Sequence, residues 1–176
     1  MGIATAKPKL KRDAGRTMIQ RKRPRAASVN FSGAGVVNFF VRGLAAAFKP
    51  VNFTPARLVA ALQNGLPFRE LEDLRTHLGL PAEKLASMLG ISKATFHRKR
   101  GNASKLTPAV SDRVVRYASL LGQAFKVFED FDSAKHWLNA PQFGLGGAAP
   151  LEYAKTEIGA RDVENLLGRI EYGVYS

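Results

Sequence analysis

The sequence predicts an all-α chain: a helix-turn-helix unit, a second and smaller helical unit after it, and a basic N-terminal extension before it. Two observations carry the fold class. Apolar residues recur at three- and four-residue spacing from Leu58 to Ile170, the period of helices lying on a core. Proline and glycine punctuate that pattern where helices start and stop, and strand-type alternation is absent after residue 50. The expected boundaries are 1–51 for a flexible basic extension, 52–128 for the helix-turn-helix domain and 129–176 for the small helical domain.

Residues 1–32 are rich in Lys, Arg, Ala and Pro and lack an apolar period. The cluster Arg21-Lys22-Arg23-Pro24-Arg25 repels itself when compacted, which reads as a flexible tail. Residues 36–48 are compatible with a short helix that the sequence does not place. Thr54-Pro55 then opens a helix with Leu58, Ala61 and Leu62 on one face, closed by Gly65. Pro67 starts a second, with Phe68, Leu71, Leu74 and Leu78, and Gly79 stops it. Pro81 opens a third over 82–89. Gly90-Ile91-Ser92 breaks the chain before a fourth over 93–100.

Thr107-Pro108 begins the longest helix, with Val110, Val114, Tyr117, Leu121, Phe125 and Phe128 on one stripe. Asp132 or Ser133 caps a short helix in which Trp137 and Leu138 anchor the small domain. Leu145-Gly146-Gly147-Ala148-Ala149-Pro150 reads as a tight turn with Pro150 at the first position of another short helix. Val163, Leu166, Leu167 and Ile170 follow the i, i+3, i+4, i+7 rule in a final helix over 160–172.

Charge is unevenly distributed. The 176 residues carry 27 Lys+Arg against 14 Asp+Glu, a net +13 with pI near 10.4. Residues 1–50 hold net +10 and residues 51–110 net +5, while 111–176 are net −2. A basic front and an acidic rear suit a polyanionic partner at one end and a different task at the other. No apolar run approaches the roughly 20 residues of a membrane-spanning helix. The absence of cysteine excludes disulfides, thiolate zinc sites and thiol nucleophiles. The long basic start, with Arg42 splitting the apolar stretch after it, does not suit a secretory signal, so the cytoplasm is the expected compartment.

Residues 82–101 satisfy the steric demands of a helix-turn-helix. The two helices approach closely where Ala86 is small, Gly90 suits a left-handed turn, and Leu85, Leu89, Ile91 and Phe96 plug the angle between them. Ser92 suits the second helix's N-cap. Lys99 departs from the pattern, since an apolar residue closes such motifs; its alkyl stem substitutes, or the helix ends early. With Phe96 inward, the second helix shows Lys93, His97 and Arg98 to a major groove, where Lys93 and Arg98 suit guanine edges. Thr95, Lys99 and Arg100 lie on the flanks and suit phosphates of double-stranded DNA.

Catalytic constellations are not evident. His77, His97 and His136 are too scattered for a metal pair and read as surface or cap residues. Gly33-Ala34-Gly35 lacks both a third glycine and a preceding strand. Glu129, Asp130 and Asp132 read as a solvated turn with a cap, and no serine sits in a nucleophile elbow. The expectation is a non-enzyme with no cofactor, no metal and no catalytic residue.

From about Leu58 the chain resembles the Xre/MbcA/ParS antitoxins, in particular the Xre partner of RES-domain toxins. The resemblance rests on Thr95-Phe96-His97-Arg98, Leu106-Thr107-Pro108 and Ser111 to Arg116. It continues in Ala134 to Leu138, Leu145-Gly146-Gly147 with Pro150-Leu151, and Val163 to Gly173. It implies that 129–176 is a toxin-binding domain. It further implies a type II antitoxin that dimerises, represses its own operon and neutralises an NAD-consuming RES-like toxin without binding NAD. The basic extension departs from the compact family pattern. Within that resemblance Arg169, Glu171, Tyr172, Val174 and Tyr175 read as the toxin contact, an Arg- and Tyr-bearing chain end able to plug a concave site; without it they read as a frayed helix with Tyr172 packed back. The competing function is a stand-alone transcriptional regulator or nucleoid-associated protein whose last third only dimerises.

Overall fold

The longest apolar stripe in the sequence becomes the axis of the structure. The computed structural model describes residues 35–43, 55–100 and 104–174. Among them the helices are α1 (Val36–Gly43), α2 (Pro55–Asn64), α3 (Phe68–Leu78), α4 (Ala82–Leu89), α5 (Lys93–Lys99), α6 (Pro108–Phe128), α7 (Phe131–Asn139), α8 (Pro150–Tyr153) and α9 (Glu157–Glu171). A single 3-10 turn, Phe143–Leu145, lies between α7 and α8. The described residues contain no strand ladder, only an isolated antiparallel bridge between Pro67 and Lys105.

Helix α6 packs against α1, α2, α3, α4, α7 and α9. Its buried set therefore exceeds one stripe: Val114, Tyr117, Ala118, Leu120, Leu121 and Ala124 are all fully shielded. Thr107 starts it, its hydroxyl accepting from the Val110 N–H at 3.4 Å, with Pro108 in the first turn. Ser111 is tolerated at full burial because its hydroxyl has two partners. It accepts from the Leu66 N–H and donates to the Thr107 carbonyl, both at 2.9 Å. One apolar core runs from Val36 to Leu167 and joins the helix-turn-helix to the C-terminal helices.

Helix α1 lies in the stretch that the sequence left unplaced. Val37 and Val41 are fully buried, and the helix packs on α3 and α6. Its first turn is capped from a distance: the Glu70 carboxylate on α3 accepts from the Val37 N–H at 2.9 Å. A Cβ at residue 35 would overlap that carboxylate, so Gly35 permits the approach. Burial pushes the Glu70 carboxyl above its usual range, and the bonds from α1 oppose that shift. Two turns further along α3, His77 meets the side-chain oxygen of Asn38 at 3.0 Å and stacks on Phe131. His77 is thus a buried core histidine (8% exposed) and not the surface or cap residue expected, because α1 covers it.

Two helix starts also differ from expectation. Asp130, not Asp132 or Ser133, caps α7, accepting from the Ser133 N–H at 2.7 Å. Helix α9 begins at Glu157 rather than 160, because Thr156 accepts from the Gly159 N–H at 3.1 Å. A Cβ at Gly159 would overlap the Tyr153 carbonyl oxygen, so the glycine lets α9 start directly against α8.

The Tyr117 hydroxyl is buried without a hydrogen-bond partner among the described residues, and burial pushes its pKa up to about 12. Because the folded value lies above the unfolded one, the unfolded chain loses this proton first and stability falls as pH rises from about 10 to about 12. Tyr117→Phe is expected to lose that slope and to gain about 1 kcal/mol at neutral pH, as read from urea unfolding at both pH values. Glu70→Ala is expected to lower stability by about 1–2 kcal/mol and to speed amide exchange at Val36 and Val37.

Candidate functional site

The α4–α5 pair has the geometry of a helix-turn-helix. Gly90 takes a left-handed φ of 67°, a conformation costly for residues with a Cβ. The Gly90 and Ile91 N–H groups then close α4 onto the Ser87 and Ala86 carbonyls at 3.1 and 3.0 Å. Ala86, Leu85, Leu89 and Phe96 are buried as expected, and Phe96 meets Phe68 edge-on at 5.3 Å. Ser92 caps α5 by accepting from the Thr95 N–H at 3.1 Å. Helix α5 ends at Lys99, and the half-buried side chain reaches the Lys105 carbonyl at 2.7 Å.

Lys93, His97, Arg98 and Arg100 are exposed on or beside α5. Lys93 contacts the Glu83 carboxylate at 3.0 Å, and Arg100 contacts that of Glu72 at 3.5 Å. The Glu83 carboxyl is held below its usual range by its own backbone N–H, then by Lys93. The Lys93–Glu83 pair is exposed on both sides, and such pairs are weak and exchange readily for another partner, whereas the Glu72 side chain is half-buried. Thr95 is half-buried and engaged in the cap, its hydroxyl accepting from the Ser92 hydroxyl at 2.9 Å. Arg113 had no assigned part in this motif. Its guanidinium donates to the Leu89 carbonyl at 2.7 Å and lies against Gly90, so α6 holds the turn. A contact between residues 24 apart leaves no trace in local spacing.

The last helix ends in an ordered turn. The Gly173 N–H donates to Ile170 at 3.2 Å and the Val174 N–H to Arg169 at 2.9 Å, the double closure that terminates many helices. Val163 and Leu167 face the core. Tyr172 does not pack back: it is 80% exposed, and Val174 is exposed beside it. Glu171 pairs with Lys126 on α6 at 2.7 Å, and that carboxylate raises the Lys126 pKa. Arg169 is exposed, and Tyr175 lies outside the described residues. Within the small domain Leu138 is the fully buried anchor, whereas Trp137 is half-buried against Phe128 at 5.8 Å. Asp130 and its neighbours form the expected capped turn.

Two family descriptions match this architecture. Residues 57–119 match the antitoxin Xre-like helix-turn-helix domain, and residues 123–173 match the antitoxin Xre/MbcA/ParS C-terminal toxin-binding domain. The Antitoxin Xre of Photorhabdus laumondii is 32% identical over 120 residues, covering 68% of this chain and 81% of the relative. The chain belongs to the Xre/MbcA/ParS antitoxin family.

Further relatives agree with that membership. The Antitoxin Xre of Yersinia enterocolitica is 29% identical over 120 residues, 68% of this chain and 81% of its own length. A Sphingobium protein named Prs ADP-ribosylating antitoxin is 25% identical over 132 residues, 70% of this chain and 83% of its own. The two matched domains abut on α6, the first taking in its N-terminal turns and the second its C-terminal ones. No helix among the described residues is long and apolar enough to cross a membrane.

Proposed function

We propose that this chain is the antitoxin of a type II pair that neutralises a RES-like, NAD-consuming toxin and represses its own operon as a homodimer, acting in the cytoplasm as a binding protein and not an enzyme. One observation carries the reading: a single chain joins a helix-turn-helix domain to a toxin-binding domain over a shared core. The name of the Sphingobium relative supports the toxin's chemistry, since ADP-ribosyl groups are drawn from NAD.

Inhibition is steric. The exposed end of α9 presents Arg169, Glu171, Tyr172 and Val174, with Tyr175 next in the chain, on a turn whose closure sets their positions before contact. Such pre-organisation lowers the entropy cost of docking. Arg169 addresses carboxylates or a phosphate-binding edge of the toxin. On the DNA side, α5 enters the major groove of the operator. Lys93 and Arg98 address guanine edges, His97 a base edge or phosphate, and Thr95 and Arg100 the backbone. On binding, Lys93 leaves Glu83 for a guanine edge and Arg100 leaves Glu72 for a phosphate. The basic extension adds contacts that carry no sequence information.

Arg169→Ala combined with Tyr172→Ala is the informative toxin-side variant. Deleting residues 160–176 would also strip Val163 and Leu167 from the core. Cells expressing the adjoining reading frame are expected to stop growing and to recover when the wild-type chain is supplied, but not when the double variant is. Absence of arrest would favour a stand-alone regulator. Lys93→Ala with Arg98→Ala is expected to relieve arrest normally, yet to weaken operator binding by about 10- to 100-fold in fluorescence anisotropy. Deleting residues 1–32 is expected to lower the salt slope of that binding and leave sequence preference unchanged.

A further inference from the structure

Phe143 is the most exposed large apolar residue among those described: its relative exposure is 101%. The loop beneath it is closed and hydrogen-bonded throughout. The Gln142 N–H donates to the Ala148 carbonyl at 3.1 Å, and the Gln142 carbonyl accepts from the Gly147 N–H at 3.0 Å. The Gly146 N–H donates to the Phe143 carbonyl at 3.0 Å. The Gln142 side-chain amide ties the loop to the end of α7 through the Trp137 and Ala140 carbonyls, both at 3.0 Å. Leu145 is buried beneath the turn, and Gly146 and Gly147 supply its two positive φ angles. The fold thus commits many bonds to holding a ring that contributes no burial of its own.

Position singles out a partner. A Cβ on Gly144 would stand 2.9 Å from the Leu166 side chain, so the loop that carries Phe143 lies directly against α9. Arg169 and Ile170 lie one turn further along from Leu166. The loop that bears Phe143 therefore packs on the helix that ends in Arg169 and Tyr172, inside the span that matches a toxin-binding domain. An exposed aromatic ring on a backbone already closed by hydrogen bonds has the character of an interface anchor, since the loop itself loses little freedom on docking.

We propose that Phe143 is an apolar anchor of the toxin contact, seated in an apolar socket of the toxin beside the site addressed by Arg169. The inference rests on the antitoxin reading above and assigns a contact that lies outside the C-terminal chain end. The test uses the full-length chain as wild type, Phe143→Ala and Phe143→Tyr, titrated calorimetrically with the protein of the adjoining reading frame. Melting temperature and solution mass are measured for each variant alone.

Phe143→Ala is expected to weaken binding by about 30-fold or more with melting temperature and mass unchanged, and Phe143→Tyr to retain most of the affinity. Wild-type affinity in Phe143→Ala would overturn the anchor while leaving the antitoxin reading intact. So would a loss of dimer mass at unchanged toxin affinity, which would give the ring to a contact between copies of this chain. Failure of the wild-type chain to bind would instead remove the antitoxin reading itself, and the anchor with it.

Discussion

Burial of α6 on nearly every side is the constraint on which the rest of the structure depends. A helix that shields Val114, Tyr117, Leu120 and Leu121 at once must be covered by partners on several faces. The helix-turn-helix supplies one cover, α7 and α9 supply another, and α1 closes what remains. Neither domain owns the core, because both bury their apolar faces against the same helix. Close packing then ties the α5 surface and the α9 end to one rigid support.

The polar exceptions within that core obey the rule that a buried polar group needs a partner. Ser111 is buried with both hydrogen bonds made, and Glu70 is buried because the first turn of α1 needs an acceptor. His77 and Asn38 satisfy each other across the same interface. Tyr117 is a departure: its ring fills the centre of α6's packing and its hydroxyl finds no hydrogen-bond partner among the described residues. The area buried by the ring outweighs one unmade bond.

Charge follows a different logic from packing. The excess of Lys and Arg lies in the first 110 residues and the acidic excess in the last 66, yet the structural unit from Ser32 to Ser176 is one. The separation of tasks is therefore written on the surface and not in the core. Arg113 and Arg116 illustrate it, one turn apart on α6. Arg113 holds the α4–α5 turn, while Arg116 reaches Glu157 at the start of α9 at 3.1 Å.

Local features were legible in the sequence wherever a local rule governs them. Periodicity exposed α2 to α6 and α9, the left-handed turn needed a glycine at Gly90, and Ser92, Thr107 and Pro150 marked helix starts, since capping joins residues two or three apart. The features that escaped join distant residues. Helix α1 has eight residues, too few to persist on propensity alone; its cap is 33 residues away on Glu70, so the apolar stretch at 36–48 is compatible with a helix but does not place it. The early start of α9 depends on how closely α8 approaches Gly159. Nothing local sets Phe143 apart, because only the packed structure leaves its ring in water. The sequence by itself determined the helical class, the turn and the charge separation, as these follow from spacing and composition. Only the tertiary structure decided which residues those elements cover and which they leave outside, because burial is a property of the whole packed chain.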